Sequence, residues 1–242
     1  ELMVEAATLY YEEDLTQAEI GARLATSRST VSRLLRDARA QGIVQITIHH
    51  PWARHSQLEA RLRSEFSLRD ARVLRAGHKP PEQVLDGVGM LAARYLQETI
   101  GDGMVLGVSY GRSIAATIRH LTPPRPLDLV VVQLLGALGS DNPLIEGANL
   151  ARNLAGKYGA AYRYLYAPLM VEDPRTRDLI AQEPLVQDVL AVGRTADVAL
   201  IGIGALGDEA PSLIYRGYLT AADVARLREL GGVGNMCAQF FD

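Results

Sequence analysis

Apolar positions along the chain follow two patterns, and these patterns predict two domains. In the opening stretch they recur at helical spacing and indicate short amphipathic helices. From Ala71 onward, short apolar runs alternate with helical patterns, an order that predicts an open, mostly parallel sheet covered on both faces. The polar and aromatic stretch HHPWARHS, residues 49–56, separates the two patterns. We therefore expect one domain at residues 1–52 and a second at residues 53–242.

The first pattern predicts a pair of short helices within LTQAEIGARLATSRSTVSRLLRDARAQGIVQITI, residues 15–48. Thr16 and Glu19 have the spacing of a capping box, in which each side chain satisfies a free backbone N–H of the other residue. After a break, Ser27 can cap a second helix. The inward apolar positions of this second helix are Val31, Leu34 and Leu35.

The outer face of the second helix carries residue types that read DNA. Short hydroxyl side chains allow close approach to the duplex, and guanidinium groups bind guanine edges or phosphates. Between positions 23 and 39 there are five arginines and one acid, although the formal net charge of the chain is -3. Gly42 ends the helix, and the β-branched run Ile43–Ile48 predicts the strand of a wing. The predicted DNA-binding residues are Thr16, Gln17, Ser27, Arg28, Ser29, Thr30, Ser32, Arg33 and Arg36.

A solvated pair of amphipathic helices is the alternative to DNA binding. The combination of cap, turn, hydroxyl-rich second helix and strand is more specific than any one of these features alone. The sequence TQAEIGARLATSRSTVSRLLRDARAQGIVQITI resembles the N-terminal winged helix-turn-helix of the SorC family of bacterial transcription regulators. The family usually has glycine in the turn, where this chain has Ala25.

The stretch after the first domain is predicted to be a linker followed by a helix. Three histidines within residues 49–56 could suggest a metal site, but no cysteine or carboxylate at ligand spacing accompanies them, so a linker is favoured. Leu58, Leu62 and Phe66 then recur at i, i+4 and i+8 and form one helical stripe. This stripe offers either a surface for self-association or a contribution to the core of the second domain.

The second domain is predicted to alternate strands with helices and to form three layers. The predicted strands are ARVL, MVLGVS, LDLVVVQLLG, AYRYLYAPLM and DVALIGIG. The predicted helices are VLDGVGMLAARYLQETI, SIAATIRHL, LIEGANLARNLAGKY and LVQDVLAVGR. The fold class is therefore α/β, with a small winged helix-turn-helix followed by a larger α/β domain.

The segment GVSYGRSIAATI, residues 107–118, carries the candidate ligand chemistry of the second domain. A strand runs directly into a helix there, and ligands of open parallel sheets bind at the carboxyl ends of the strands. Glycine allows the backbone to approach an anion, the first N–H groups of the helix favour negative charge, and two serines and Arg112 add donors. The pattern favours a phosphate, while an ordinary turn capped by Ser113 is equally open. The complete G-x-G-x-x-G spacing of a dinucleotide site is absent.

The resemblance to the SorC family extends over nearly the whole chain. GVSYGRS is similar to the loop of the family's effector domain, and VVQLLGALG, GRTADVALIGIGAL and GGVGNMCAQFFD resemble successive family segments. The resemblance implies an effector domain related in fold to sugar-phosphate isomerases and glucosamine-phosphate deaminases, with sugars or phosphorylated sugars as inducers. It implies that the phosphate is held by Ser109, Tyr110, Gly111, Arg112 and Ser113, and that the sugar hydroxyls face Gln133 and Asp242.

Two departures from the family pattern are visible. Asn235 stands where the family usually has aspartate. Relatives continue beyond the position of Asp242 through more sheet and a late basic residue, so we expect the C-terminal part of the effector domain to be incomplete in this sequence.

A sugar-phosphate isomerase or deaminase is the competing function. Such an enzyme needs a positioned base and a second acid or base, but no histidine is spaced to pair with a carboxylate near the loop, and His120 lies a helix away. A Schiff-base mechanism has few nucleophiles, since the lysines are Lys79 and Lys157 alone. An interaction module without a small ligand would leave the loop unexplained. We therefore predict a non-enzymatic regulator of a carbohydrate-metabolism operon, whose affinity for operator DNA is controlled by a sugar or phosphorylated sugar.

Composition and partners complete the prediction. The 242 residues, 48% of them apolar, can bury a large core, and no apolar run approaches the roughly 20 residues of a membrane span. The single Cys237 excludes a disulfide framework and favours a small buried hydrophobe. We expect a cytoplasmic protein without cofactor, metal or membrane contact. Its partners are double-stranded operator DNA, the effector and its own copies in a dimer or tetramer, since one helix-turn-helix makes too few base contacts.

Overall fold

A computed structural model of the chain describes residues 2–44, 54–139, 142–206 and 217–242. The chain divides into two compact units, Glu1–Trp52 and Ala53–Asp242. None of the described helices is long and apolar enough to cross a membrane.

The N-terminal unit is a three-helix core in which the predicted capping contacts are present. The Thr16 N–H donates to Glu19 Oε2 at 2.8 Å, and the Glu19 N–H donates to Thr16 Oγ1 at 3.4 Å. Ser27 Oγ accepts the Thr30 N–H at 3.1 Å. The unit consists of α1 (Leu2–Tyr11), α2 (Gln17–Arg23) and α3 (Arg28–Ala40). Its core consists of Ala6, Ala7, Leu9, Ile20, Val31, Leu35 and Ala38.

The turn between α2 and α3 is held very closely against α2. The Thr26 N–H donates to the Gly21 carbonyl at 2.8 Å, and a Cβ on Gly21 would lie 2.9 Å from the Thr26 carbonyl oxygen. Ala25 takes a left-handed backbone with a φ of 49°. Of the predicted wing strand, Ile43 and Val44 are described and form a bend, while residues 45–48 lie outside the described residues.

The second unit begins with helix α4 (Ser56–Phe66), whose predicted apolar stripe does not join the core. Leu58 and Phe66 are exposed, and the buried residue of this helix is Glu59. The predicted strand ARVL is wrong, since Leu74 makes only an isolated bridge with Arg54. The physical reason is a polar contact: the Val73 N–H donates to the Glu59 carboxylate at 2.8 Å instead of entering a sheet ladder.

The rest of the second unit confirms the three-layer α/β fold. A parallel sheet with the strand order β3-β2-β1-β4 lies between α5, α6 and α7 on one face and α9 on the other. The strands are β1 (Val105–Val108), β2 (Val130–Gln133), β3 (Ala161–Arg163) and β4 (Val198–Leu200). The helices are α5 (Pro81–Thr99), α6 (Arg112–His120), α7 (Gly147–Tyr158), α8 (Pro174–Gln182) and α9 (Pro184–Arg194).

A second, antiparallel sheet ends the described chain. The predicted single strand DVALIGIG breaks at Gly202, so that its two halves belong to different sheets. Gly202 lies close to the start of α6, since a Cβ at this position would be 3.2 Å from Ser113 Oγ. The antiparallel part consists of β5 (Ile203–Ala205), α10 (Ala221–Glu229), β6 (Gly234–Met236) and β7 (Gln239–Phe241).

Candidate DNA-binding and effector sites

Helix α3 presents its predicted DNA-binding side chains on the face opposite the core. Ser27 Oγ lies 2.8 Å from both Ser29 Oγ and Thr30 Oγ1, which gathers three hydroxyls at the start of the helix. Arg33 and Arg36 make only long contacts of 3.4 Å, the first to the Ser29 carbonyl and the second to an Asp37 carboxylate. The exposed predicted residues of this helix are Arg28, Ser29, Ser32, Arg33 and Arg36.

A cleft of about 590 Å³ lies between the starts of α2 and α3. Thr16, Gln17 and Arg28 line it, so three predicted residues from two helices meet there. Tyr10 and Tyr11 also line the cleft, with ring centroids 4.9 Å apart in an edge-to-face arrangement. Sequence analysis missed these tyrosines. Two consecutive aromatic residues shortly before the first helix of the motif could have indicated that they belong to the site.

The predicted effector loop, Ser109–Ser113, connects β1 to α6. The buried Ser109 donates its N–H to the Leu200 carbonyl at 3.0 Å, and Gly111 donates its N–H to the Ile145 carbonyl at 3.2 Å. Gly111, with a φ of 123°, is the N-cap of α6, so the expected cap by Ser113 is wrong. No side chain caps this helix start.

Tyr110 occupies the centre of the loop and is half-buried. Burial raises the pKa of its hydroxyl, and the nearby Cys237, Glu146 and Tyr218 raise it further. Burial likewise raises the pKa of the Cys237 thiol, which is half-buried at the turn between β6 and β7 rather than fully buried as expected. Both groups are therefore neutral near physiological pH and can act as hydrogen-bond donors. Sequence analysis did not single out Glu146 or Tyr218.

Arg112 is directed towards another helix. Its guanidinium donates to the Glu82 carboxylate of α5 at 2.5 Å. The side chain lines a groove of about 770 Å³ between α6 and α7, together with Arg119, Arg152 and Lys157. Basic side chains therefore outnumber the single acid, Glu82, among the residues that line this groove.

The two predicted sugar contacts have different surroundings. Gln133 is buried, and its side-chain amide donates to the Leu135 carbonyl at 2.6 Å and accepts the Leu165 N–H at 3.3 Å. Asp242 lies at the open end of the β6–β7 hairpin, beside Gly231, while Cys237 lies at the turn. Among the described contacts, none joins Asp242 to the loop.

Catalytic and metal groups are sparse around the loop. His120 Nε2 lies 2.8 Å from Asp86 Oδ1, but this pair is at the far end of α6 from Gly111. Within the described residues, no group of three or more histidine, cysteine, aspartate or glutamate side chains could hold a metal ion. His55 instead caps α4, since its Nδ1 accepts the Leu58 N–H at 3.3 Å. His49 and His50 lie outside the described residues.

A helix-turn-helix unit followed by a three-layer α/β unit defines a class of protein: a DNA-binding transcriptional regulator with an effector domain. Residues 50–242 match the Sugar-bind family, a sugar-binding domain, and residues 8–41 match region 4 of sigma-70. The chain belongs to the SorC family of transcriptional regulators.

Named relatives agree with this assignment. The deoxyribonucleoside regulator of Bacillus subtilis (strain 168) is 30% identical over 243 residues, which cover 100% of this chain and 77% of the relative. The sorbitol operon regulator of Klebsiella pneumoniae is 30% identical over 249 residues, with coverage of 100% and 77%. The structure of full-length SorC from Klebsiella pneumoniae has a TM-score of 0.75 at 28% identity, covering 100% of this chain and 79% of that chain.

Proposed function

We propose that this regulator binds the operator of a carbohydrate operon and that a phosphorylated sugar or polyol, held at the start of α6, changes its affinity for DNA. The proposal rests on the N-terminus of α6, which no side chain caps. Among the described helices with a described N-cap, α6 alone begins with neither a capping side chain nor a proline in its first turn. Free N–H groups and the positive end of the helix dipole are matched to a phosphate.

The loop supplies complementary donors around that helix start. In the proposal, Ser109, Tyr110, Gly111, Arg112 and Ser113 surround the phosphate, with the neutral Tyr110 hydroxyl as a donor. Arg112 would exchange its Glu82 partner for the phosphate, which costs little because exposed ion pairs contribute only about 0–1 kcal/mol. Gln133 and Asp242 stay as proposed contacts to the sugar hydroxyls, and Gln133 would have to share its amide with the backbone.

The names of relatives support the ligand class. The relatives include regulators of a sorbitol operon, of deoxyribonucleosides and of erythritol catabolism. Sorbitol, erythritol and the sugar of a deoxyribonucleoside are hydroxylated carbon chains or rings, so we propose an effector of that chemical class here, held through a phosphate group. The identity of the sugar is an outcome of the experiment below.

DNA binding is assigned to α3 and the cleft beside it. Arg28, Arg33 and Ser29 would read base edges, while Thr16, Gln17 and Tyr11 would contact the phosphate backbone. Symmetric operators are bound by pairs of helix-turn-helix motifs, one for each half-site. We therefore propose a homodimer or homotetramer that acts on chromosomal DNA in the cytoplasm. An isomerase or deaminase is not favoured, because the His120–Asp86 pair lies at the far end of α6 from Gly111.

A thermal-shift screen of phosphorylated sugars and polyols against their unphosphorylated forms tests the effector site. A ligand at 100 times its dissociation constant stabilises the fold by roughly 2.7 kcal/mol, so a true effector gives a clear shift in the melting temperature. We expect phosphorylated compounds to give the larger shifts. Equal shifts with and without the phosphate group would contradict the phosphate site, and turnover of a hit detected by NMR would favour the enzyme.

A further inference from the structure

The starts of helices α6 and α7 lie side by side at one edge of the parallel sheet. Strands β1 and β2 end level with each other, since Val108 and Gln133 are partners in the sheet register. The Gly111 N–H, at the N-cap of α6, donates to the Ile145 carbonyl at 3.2 Å, one residue before the N-cap of α7. A ligand held at the start of α6 is therefore close to the start of α7 as well.

The two helix starts differ in charge, because α7 carries an anion of its own. The N-cap of α7 is Glu146, whose Oε1 accepts the Gly147 N–H at 3.2 Å and the Leu138 N–H at 3.0 Å. A carboxylate at this position compensates the positive end of the helix dipole. No side chain caps α6. Of these two neighbouring helix starts, α6 is thus open to an anion, while α7 already holds one.

Glu146 lies beside two of the residues proposed to hold the effector. A Cβ on Gly147, the next residue, would lie 3.2 Å from Gln133 Nε2, so the start of α7 packs directly on the buried Gln133. The charge of Glu146 also contributes, after burial and Cys237, to the raised pKa of the Tyr110 hydroxyl. The carboxylate is therefore near both the centre of the loop and the proposed sugar contact.

We propose that Glu146 determines the specificity of the effector site, because its negative charge admits a ligand with one phosphate group and excludes a second anionic group at the sugar end. This inference rests on the proposed phosphate site at α6 and adds the class of compound that the site accepts. Like charges brought close together cost free energy, and the cost rises where water is partly excluded. An uncharged sugar or polyol chain meets no such penalty. The accepted class is therefore a sugar or polyol that carries a single phosphate at one end.

The basic groove between α6 and α7 is the structural argument for the opposite preference. Arg119, Arg152 and Lys157 line it, and a second phosphate that reached these side chains would be bound rather than repelled. Gln133 does not line this groove. An effector whose sugar contacts Gln133 instead places that sugar beside the start of α7, where the nearby charge is the carboxylate of Glu146.

Isothermal titration calorimetry of the full chain with matched pairs of compounds tests this specificity. One hexose pair is glucose 6-phosphate with glucose 1,6-bisphosphate, one pentose pair is ribose 5-phosphate with ribose 1,5-bisphosphate, and inorganic phosphate probes the α6 start alone. We expect the wild-type protein to bind a monophosphate at least about tenfold more tightly than its bisphosphate. In Glu146→Gln this ratio should fall at least about fivefold, because the charge is removed while an amide oxygen can still accept the Gly147 N–H.

Further variants separate the charge of Glu146 from its role as a helix cap. Glu146→Asn removes the charge and supplies a favoured N-cap residue, so it should lower the ratio as Glu146→Gln does. Glu146→Asp keeps the charge and should retain the wild-type preference. Asp173→Asn is the matched control, since this carboxylate caps α8 by accepting the Arg175 N–H at 3.0 Å and α8 packs on α9. Its ratio should equal that of the wild-type protein.

The outcomes separate the role of Glu146 from the phosphate site itself. A preference for monophosphates that is lost in Glu146→Gln and Glu146→Asn and kept in Glu146→Asp supports the inference. Bisphosphates that bind the wild-type protein as tightly as monophosphates, or neutral variants with an unchanged ratio, overturn it and leave the phosphate site standing. Binding of inorganic phosphate alone overturns the sugar class. Binding of none of these compounds overturns the phosphate site and the inference with it.

Discussion

Arg112 and Glu82 form an ion pair across two helices, with the guanidinium 2.5 Å from the carboxylate and side-chain exposures of 62% and 78%. The pair holds the arginine of the effector loop in a solvated position on the side of α5. Because a pair this exposed contributes little to stability, its arginine is available to an incoming anion. In the proposed effector site, Glu82 would therefore compete with the phosphate for Arg112.

The first prediction follows from that competition. Glu82→Gln should strengthen binding of a phosphorylated effector, by a factor of up to about five, because the loss of a weak exposed pair frees Arg112. Arg112→Ala should weaken the same binding by about tenfold or more, since a charge-assisted hydrogen bond is lost. Isothermal titration calorimetry measures both. Arg119→Ala, a cation at the other end of α6, is the control, and equal losses at positions 112 and 119 would mean only a general charge effect.

A second prediction concerns the turn of the helix-turn-helix. Ala25 has a φ of 49°, a region in which a Cβ costs roughly 1 kcal/mol, so Ala25→Gly should stabilise the N-terminal unit by up to that amount. Ala22→Gly, three residues earlier within α2, should destabilise it by about 1 kcal/mol. The rates of amide hydrogen exchange in α3, measured on the full chain, report the change in stability caused by each substitution. Destabilisation by both substitutions would show that the left-handed turn is not a source of strain.

A third prediction concerns the start of the second unit and its dependence on pH. Glu59 is buried, and its carboxylate accepts hydrogen bonds from Arg54 Nε at 2.7 Å, Arg54 Nη2 at 2.9 Å and the Val73 N–H at 2.8 Å. The hydrogen bonds from Arg54 lower the pKa of the Glu59 carboxyl, and the Val73 N–H lowers it further against the effect of burial. A carboxyl with a lowered pKa in the folded protein adds stability above its unfolded value of about 4.3. That stability disappears as the pH falls through the lower, folded value.

Glu59→Gln should therefore reduce the free energy of unfolding by about 1–3 kcal/mol at neutral pH. The difference from wild type should shrink as the pH falls below about 4. Urea unfolding followed by circular dichroism at several pH values measures it. Glu65→Gln removes an exposed ion pair with Arg61 on the same helix and should change stability by less than about 0.5 kcal/mol. A Glu59 effect independent of pH would contradict the role of the carboxylate.

The fourth prediction concerns base reading by α3. Arg33→Ala should cost roughly 1–3 kcal/mol of operator binding and relax the preference at one base pair, as expected for a guanidinium that binds guanine. Arg36→Ala should weaken binding to all sequences and flatten the dependence on salt, as expected for a phosphate contact. Arg23→Ala, whose arginine pairs with Glu13 at 2.9 Å, is the control. Fluorescence anisotropy at several salt concentrations measures operator binding. Normal operator binding by the Arg28→Ala, Arg33→Ala protein would refute the assignment of α3 as the recognition helix.

Local signals in the sequence explain the parts of the fold that were predicted. The capping box of Thr16 and Glu19 and the cap at Ser27 are short-range features, and the structure contains both. The missed helix α8 had signals of the same kind, an Asp173 cap followed by a proline in the first turn. The strand predicted at ARVL fails for a different reason, because the Val73 N–H bonds to Glu59, fourteen positions earlier in the chain.

The candidate effector site also has one part that the sequence predicts and another that it does not. The residues of the loop and its place between a strand and a helix could be predicted, since glycine and serine there follow from backbone chemistry. The surroundings of the loop could not, because Glu82, Glu146 and Tyr218 come from elements far along the chain. The pairing of Arg112 with a carboxylate thirty positions earlier depends on how α5 packs on α6.

The most direct test of the regulator is a titration of operator DNA with and without effector. The DNA is a duplex selected by the protein from a random library, and the effector is the strongest phosphorylated compound of the thermal-shift screen. We expect the effector to change the operator dissociation constant of the wild-type protein by at least about fivefold, because a coupling free energy is typically 1–3 kcal/mol. The Arg112→Ala, Ser113→Ala protein should keep its effector-free affinity and lose the response. A wild-type operator affinity that no bound sugar phosphate alters, or a variant that responds with full sensitivity, would contradict the account.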